Sequence, residues 1–209
     1  MSDIVIHGFA ASTYARTARL AAEEKGLAYS LVDPEMGTDG YLKLHPFGKM
    51  PAMTHGDVHL FETFAIARYF DEAFDGPALQ PAAPAARARM TQWVSVYVDY
   101  LYVTIVRGLI VPRLVYPMRG VPVDEDALKE NLPAVDSQLA IVDGALAGAP
   151  YLTGAEPSLA DLFVTPMIAY LPAMPEGEAA LAKCRNIQAW QERMSGRGSF
   201  TETQPQLAA

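Results

Sequence analysis

"DIVIHGFAASTYARTAR", residues 3–19, decides the fold class of this chain. Residues 3–7 form a short apolar run typical of a buried strand, and Gly8 ends that run. From residue 13 to residue 25 apolar and charged side chains mix as on an amphipathic helix, with Gly26 as the expected C-terminal cap residue. A second apolar run, "LAYSLVDP" at 27–34, stops at a proline. This order predicts two parallel strands joined by a right-handed crossover.

The next segments complete an α/β domain. Residues 36–53 are predicted to form a loop with one helical turn, residues 51–61 a hairpin that turns at 55–57, and residues 62–74 a helix. Residues 75–86 are rich in proline and alanine, which is typical of a linker between domains.

Everything beyond that linker is helical in pattern. A long helix is expected over 86–111, stopped near Pro112 and Pro117, and shorter helices follow it. The tail from about Gly196 is expected to wander over the surface. The predicted domains are therefore an α/β domain at 1–78, a linker at 79–86 and an all-helical domain at 87–209.

Composition and charge exclude several classes of protein. The chain is 51% hydrophobic and 19% charged, which is typical of a globular protein. A net charge of −8 argues against binding to nucleic acid or to an anionic membrane. No apolar run approaches the roughly 20 residues of a membrane span, and the start of the chain is unlike a signal peptide. Cys184 is the single cysteine, so no internal disulfide is expected, and a reducing cytoplasm is the predicted location.

Ser12 lies where the first strand ends and the first helix begins. A helix start presents free N–H groups and the positive end of a dipole, which favours a bound anion such as a thiolate. The hydroxyl of Ser12 either caps the helix or faces such a ligand. A thioredoxin-like β-α-β unit carries a Cys-x-x-Cys pair at this corner. Here the corner reads Ser12-Thr13-Tyr14-Ala15, so any reacting thiol must be brought in.

The stretch "HPFGKMPAM" (45–53) carries the second candidate site. A proline that opens a strand facing the helix start is often cis. With Pro51 cis, the N–H and C=O of Met50 point outward and pair with an extended peptide. The alternative is a simple turn that ends in an edge strand.

The stretch "LFETFAIARYF" (60–70) carries the third candidate site. Glu62 and Thr63 lie where a strand meets a helix, and Thr63 is also a plausible helix cap. Together they offer a pocket for an amino acid, because a carboxylate binds an ammonium group while a hydroxyl and free helix N–H groups bind a carboxylate.

These three stretches, taken in order, resemble the cytosolic glutathione transferases. "SxxxR" follows the first strand, a "PFGxxP" stretch precedes the third, and "ET" precedes the next helix. "YLTGAEPSLADLFVTPMI" (151–168) and "IQAWQERMSGRGSF" (187–200) are similar to two segments of the same family in the second half of the chain. The resemblance is to a serine-type, theta/phi/delta-like bacterial member. It implies a thioredoxin-like N-terminal domain that binds glutathione and an all-α C-terminal domain.

The resemblance also implies roles for particular residues. Ser12 hydrogen-bonds the glutathione sulfur and favours its thiolate, with Arg16 as a further support. The backbone of Met50, beside Pro51, pairs with the cysteinyl part of glutathione.

At the two ends of glutathione, Glu62 and Thr63 hold the γ-glutamyl group, and Lys49 reaches the glycyl carboxylate. Two departures from the family pattern weaken the glycyl end: His45 stands where asparagine is common, and no His-Lys pair occurs in the preceding loop. Ser158 and Asp161 match a capping box, a folding element rather than a chemical one.

The second substrate is expected to be a small hydrophobic electrophile. In the family its pocket lies between the long helix and the N-terminal domain, where aromatic rings with polar tips suit such a ligand. The candidates here are Tyr97, Tyr100, Arg107 and Tyr116, and an arginine there binds a carboxylate or nitro group. The alternative for each tyrosine is simple packing.

The resemblance implies the activity of a glutathione transferase that acts in detoxification and needs no metal. It also implies a cytoplasmic protein that forms a homodimer. Two other functions stay open at this point. One is a carrier or stress protein that binds glutathione or apolar ligands with little turnover. The other is a non-catalytic docking module, a role that has no need of the residues at positions 12, 51, 62 and 63.

Overall fold

Four strands form one mixed sheet in the order β2-β1-β3-β4. The strands are β1 (Ile4–His7), β2 (Tyr29–Val32), β3 (Ala52–His55) and β4 (Val58–Phe61). β1 and β2 run parallel, as the sequence predicted, while β3 runs antiparallel to both of its neighbours, β1 and β4. The computed structural model describes residues 3–205.

Three helices accompany this sheet. They are α1 (Thr13–Glu24), α2 (Asp39–Leu44) and α3 (Thr63–Ala73). The inner face of α1 is made of small side chains and one large one, Leu20, and its alanines Ala15, Ala18 and Ala22 are completely buried. Small side chains let a helix approach its neighbours closely, so α1 packs tightly against α3 and the sheet. The predicted thioredoxin-like α/β fold is confirmed.

A second set of helices follows the linker. They are α4 (Pro84–Val96, continued by wider π-type turns over Tyr97–Val115), α5 (Glu125–Ala145), α6 (Leu159–Tyr170), α7 (Pro175–Leu181), α8 (Arg185–Ser195) and α9 (Gly198–Glu202). Single 3-10 turns lie at Pro117–Arg119, Leu146–Gly148 and Leu171–Ala173. α6 is buried along almost its whole length and forms the centre of this all-helical part.

The capping box predicted at the start of α6 is present. An Asp161 oxygen accepts from the Ser158 N–H at 2.9 Å. The other oxygen of the same carboxylate accepts from the Leu152 N–H at 3.0 Å and from the Trp190 indole at 2.9 Å. Burial raises the pKa of Asp161, while these donors and Ser158 oppose that shift. The box therefore also joins α6 to α8.

Contacts divide the described chain into two units. One unit holds the residues through Pro81 together with those from Ser195 onward, and the other holds residues 82–194. The sequence assigned all of 87–209 to the helical domain, and the final segment corrects that assignment, because α9 packs on α1. The expectation of a wandering tail is wrong for Gly198–Glu202, which is helical. Residues 206–209 lie outside the described part.

One helix in the described residues is long and apolar enough to cross a membrane. It is Pro84–Val115, with 32 residues, and an 18-residue window of it has a mean hydropathy of 1.6. This corrects the statement that no apolar run approaches that length. Of that window 39% is buried inside the protein. Core helices of soluble proteins meet the same criteria, so length and composition alone are weak evidence for a span.

Candidate active site

Strand register brings the three candidate stretches to one edge of the sheet. Ala52, the first residue of β3, lies opposite His7 on one side and Phe61 on the other. His7 and Phe61 are the last residues of their strands. The flanking residues, Gly8 after β1, Pro51 before β3 and Glu62 after β4, therefore lie side by side at this edge. Pro51 and Glu62 are themselves candidates, and Ser12 follows Gly8 four residues later.

Ser12 is the N-terminal cap of α1. Its Oγ accepts a hydrogen bond from the Ala15 N–H at 3.3 Å, and its side chain is partly exposed. Capping uses one lone pair of the hydroxyl and leaves its proton to donate. The two interpretations of Ser12, a helix cap and a donor to a ligand, are therefore compatible. The nearby free N–H groups and dipole of α1 also favour a negative charge at this point.

Gly8 sets how closely the first turn of α1 approaches the strands. A Cβ added at Gly8 would lie 2.7 Å from the Ala15 Cβ and 3.8 Å from the Pro51 Cβ. The backbone of β1 is thus in close contact with the turn that Ser12 caps and with the proline before β3. Glycine is the residue that allows this approach, and a larger residue would separate the two stretches.

A side chain of α2 holds the segment Lys49–Pro51 in place. The Tyr41 hydroxyl donates to the Lys49 carbonyl at 2.7 Å, and Tyr41 itself is buried. The Met50–Pro51 peptide bond is cis. Met50 precedes the ladder of β3, which begins at Ala52. Its N–H and C=O therefore lie outside the sheet pairing, while the Lys49 side chain is exposed.

Glu62 has an unusual backbone conformation. Its φ of 72° and ψ of 117° are unfavourable for a residue with a Cβ, and it occupies the N-cap position of α3 without a side-chain capping bond. Its side chain is exposed, whereas Thr63 is buried as the first residue of α3. Thr63 is thus not the cap, which corrects that alternative. A strained, exposed carboxylate at a helix start is typical of a binding position.

The sequence predicted that Arg16 supports the glutathione thiolate, but its guanidinium contacts the C-terminal segment instead. It is only 2% exposed, and its guanidinium donates to the Phe200 carbonyl at 3.2 Å and to the Thr203 hydroxyl at 3.3 Å. The same group stacks on the Phe200 ring, 4.5 Å from its centroid. These contacts favour a role in holding the C-terminal segment over the predicted support of a thiolate.

His45 is a residue near this edge to which the sequence gave no role. It is 2% exposed, and its Nδ1 is buried with no hydrogen-bond partner among the described residues. Its ring packs on Phe61, with centroids 5.0 Å apart. Burial lowers the pKa of His45, although the charge of Glu62 opposes the shift. The departure from asparagine at this position was the only signal in the sequence.

The candidates for the electrophile site belong to the helical unit and do not share one environment. Tyr97 is fully buried, with its ring 5.6 Å from that of Phe163, so the packing alternative describes it and corrects its assignment to a pocket. Tyr100 is 60% exposed, Arg107 is exposed and Tyr116 is half-buried. These three remain available to a ligand.

Two adjoining cavities in the helical unit lie between α5 and α7. Their volumes are about 330 Å³ and 460 Å³. Both are lined by Asp136, Ala180 and Lys183, and the second also touches Cys184. None of the predicted electrophile-site residues lines either cavity. Within residues 3–205, no group of three or more His, Cys, Asp or Glu side chains is arranged to hold a metal ion.

Comparison with known proteins identifies the family. Residues 6–78 match the family model "Glutathione S-transferase, N-terminal domain", and residues 97–197 match "Glutathione S-transferase, C-terminal domain". Glutathione S-transferase F14 of Arabidopsis thaliana is 35% identical over 190 residues, which cover 86% of this chain and 74% of that protein. Glutathione S-transferase F10 of the same plant is 32% identical and covers 86% of both chains.

Solved structures agree with the sequence relatives. The apo form of a glutathione S-transferase III superposes with a TM-score of 0.88 at 28% identity, covering 97% of this chain and 95% of that one. A theta-class glutathione S-transferase from Xanthomonas axonopodis pv. citri with glutathione bound gives 0.85 at 27% identity, with both chains fully covered. The chain therefore belongs to the glutathione S-transferase family, and its activity is that of a glutathione transferase.

Proposed function

We propose that this transferase binds glutathione at the edge of the sheet where Ser12, Met50 and Glu62 meet, and that Ser12 stabilises its thiolate. The observation that carries the proposal is the geometry of Ser12. Its hydroxyl caps α1 at 3.3 Å yet keeps a proton to donate, at the positive end of a helix. Such a donor favours the charged form of a bound thiol and lowers its pKa from about 8.5.

The other glutathione contacts follow from the same edge. The backbone of Met50 pairs with the cysteinyl part, next to Pro51. Glu62 and Thr63 hold the γ-glutamyl end, where the exposed carboxylate of Glu62 meets the ammonium group and Thr63 the carboxylate. Lys49, exposed on the loop before Pro51, reaches the glycyl carboxylate.

The electrophile is a small hydrophobic molecule that binds to residues of the helical unit. Tyr100, Arg107 and Tyr116 are the accessible candidates for this role. A maize enzyme of known structure in complex with an atrazine glutathione conjugate, at 25% identity, supports this substrate class. A glutathione S-transferase I bound with lactoylglutathione, also at 25% identity, supports the binding of glutathione derivatives. Conjugation in detoxification is the physiological role we propose.

Subclass, assembly and location complete the proposal. The subclass proposed is a serine-type, theta/phi/delta-like bacterial enzyme, supported by Ser12 and by the likeness to a theta-class enzyme of Xanthomonas axonopodis pv. citri. We further propose a cytoplasmic homodimer that binds neither nucleic acid nor membrane, in keeping with its net charge of −8.

A thiolate titration tests the role of Ser12. Glutathione is bound to the protein, and the ultraviolet absorbance of its thiolate is followed against pH for wild type, Ser12→Gly and Ser12→Thr. Glycine caps helices almost as well as serine but has no hydroxyl, so Ser12→Gly separates donation from capping. We expect a lowered thiol pKa in wild type and in Ser12→Thr, and an ordinary one in Ser12→Gly. Tight binding with an ordinary pKa in wild type would instead indicate a carrier.

A further inference from the structure

Two arginines of α1 hold the end of α9. Arg16 donates to the Phe200 carbonyl at 3.2 Å, and Arg19 donates to the carbonyls of Glu202 and Thr203, both at 3.0 Å. The last carbonyls of a helix have no partner within that helix. The guanidinium groups of α1 donate to these carbonyls of α9. Arg16 is 2% exposed and Arg19 is 8% exposed. The contact is thus a buried, directional one.

The far end of α1 is held by the same C-terminal segment. Arg197 donates to the two oxygens of Glu24 at 2.7 and 2.5 Å, and Ser199 donates to the same carboxylate at 2.5 Å. Arg16 and Glu24 are eight positions apart, which is about 12 Å along a helix. The segment 197–203 therefore makes hydrogen bonds to α1 at two separate points along that helix. We call this segment the C-terminal clamp.

On its other sides α1 has little room. The Ala15 Cβ leaves no space for even a methyl group at Gly8. At its end Lys25 is buried and paired with Asp71 of α3, with Nζ 3.4 Å from Oδ1. The clamp thus contacts the same helix that Ser12 caps, and Ser12 lies one turn before Arg16.

We propose that the C-terminal clamp is a positioning device for Ser12: by fixing α1 along its length, it sets the distance from the Ser12 hydroxyl to the bound thiol. This inference rests on the proposed role of Ser12. Positioning errors of about 1 Å can cost about 100-fold in rate, because hydrogen bonds to a reacting atom depend steeply on geometry. Met50, Glu62 and Thr63 belong to other elements, so the binding of glutathione itself depends less on the clamp.

The test uses the full-length protein and the clamp contact farthest from Ser12. Arg197→Met and Glu24→Gln break that contact, and the double exchange Arg197→Glu with Glu24→Arg restores an ion pair of reversed polarity. Arg68→Met is the matched control, because Arg68 makes an exposed ion pair with Glu72 in the same unit, at 2.7 Å. Thr203→Val, which removes the hydroxyl that accepts from Arg16, is a second way to loosen the clamp if Arg197→Met fails to fold.

Three quantities are measured: the pKa of the bound thiol, kcat, and KM for glutathione. We expect Arg197→Met and Glu24→Gln to raise the thiol pKa and to lower kcat about threefold or more at neutral pH, with KM changed less than about twofold. The double exchange should recover most of kcat, and Arg68→Met should behave as wild type.

Two results overturn the proposal in distinguishable ways. If wild type shows a lowered thiol pKa and the clamp variants keep both that pKa and kcat while melting at lower temperature, the segment only stabilises the fold and Ser12 retains its role. If wild-type protein leaves the bound thiol at its ordinary pKa, the role of Ser12 fails first, and the clamp has no thiol to position.

Discussion

At the scale of single residues, Gly8 is where packing most directly limits the site. A methyl group at Gly8 would lie 2.7 Å from the Ala15 Cβ, which is well inside van der Waals contact. We expect Gly8→Ala to destabilise the protein by about 1–3 kcal/mol, because the turn that Ser12 caps must move. We also expect weaker glutathione binding, because the added Cβ lies against Pro51, next to the backbone of Met50. Chemical denaturation and binding calorimetry measure both effects.

Gly144→Ala is the control for that substitution. Gly144 lies within α5, and a Cβ there meets nothing within 4 Å. Alanine favours a helix over glycine by about 1 kcal/mol, so this variant should be as stable as wild type or more so. Equal behaviour of the two alanine variants would show that the start of α1 adapts without cost.

The backbone strain at Glu62 lowers the stability of the fold but places its carboxylate at the edge of the sheet. Its φ of 72° is a conformation that glycine adopts readily and glutamate does not. We expect Glu62→Gly to keep or raise the melting temperature while KM for glutathione rises about tenfold, since the carboxylate that meets the ammonium group is lost. Glu62→Gln is the companion variant, because it keeps the backbone strain and loses only the charge. A fall in melting temperature with unchanged KM for Glu62→Gly would assign Glu62 to folding alone.

The candidate residues at the sheet edge were predictable because their signals are local. Ser12, Pro51 and Glu62 each stand at the junction of a strand with the next element, and a junction is visible in a short window of sequence. Arg16 was recognised for its position, but its partners Phe200 and Thr203 lie more than 180 residues away in the chain. No spacing rule links residues so distant in the chain, so only the structure shows which groups the Arg16 guanidinium contacts.

At the scale of elements, the contact between the C-terminal clamp and α1 should depend on pH. Burial raises the pKa of Glu24, but the hydrogen bonds from Arg197 and Ser199 and the charge of Arg197 outweigh it, so the pKa lies below the ordinary value of 4.5. A carboxylate whose pKa is lower when folded stabilises the fold above its unfolded pKa. That stabilisation is lost as the pH falls through the folded value.

We therefore expect the free energy of unfolding to fall as the pH drops below 4.5, and part of the fall to vanish in Glu24→Gln. Chemical denaturation at a series of pH values measures it. Asp161 belongs to the other unit and titrates in both proteins, so the difference between wild type and Glu24→Gln isolates the clamp. Parallel pH profiles for the two proteins would contradict this assignment.

The elements themselves followed closely from periodicity and from turn residues. The long helix continues through Pro112, which was predicted to stop it, and ends at Val115, just before Pro117. The hairpin turns at Gly56, and α1 ends just before Gly26, both with positive φ. The five-residue helix α9 was missed, because "GSFTE" is too short for a helical period and is stabilised by side chains from α1 instead.

At the scale of the whole molecule, the two family domains were predictable and the path of the chain between the two units was not. Composition marked the linker near residues 75–86, and the unit boundary at Pro81 falls inside it. After Met194 the chain returns to the first unit, where Arg16 and Arg19 donate to carbonyls of the final segment. The sequence predicted thiolate support for Arg16 and no role for Arg19. Buried arginines satisfied by distant carbonyls leave no pattern that a sequence window detects.

The homodimer is the remaining proposal at this scale, and Phe47 offers a test of it. Phe47 is 71% exposed on the loop between α2 and β3, although its ring also lies near those of His45 and Phe61. We expect this exposed ring to form part of the interface of the proposed homodimer, and in a symmetric dimer an interface side chain is buried twice. Burying one phenylalanine contributes about 2 kcal/mol, so Phe47→Ser should weaken dimerisation by about 4 kcal/mol, or about 1000-fold in Kd.

Light scattering coupled to size-exclusion chromatography measures this shift over a dilution series. Met118→Ser, at a residue 75% exposed in the helical unit, is the control for loss of an exposed apolar side chain. We expect wild type and Met118→Ser to remain dimers at concentrations where Phe47→Ser is a monomer. A dimeric Phe47→Ser would place the interface on other residues, and a monomeric wild type would exclude the homodimer.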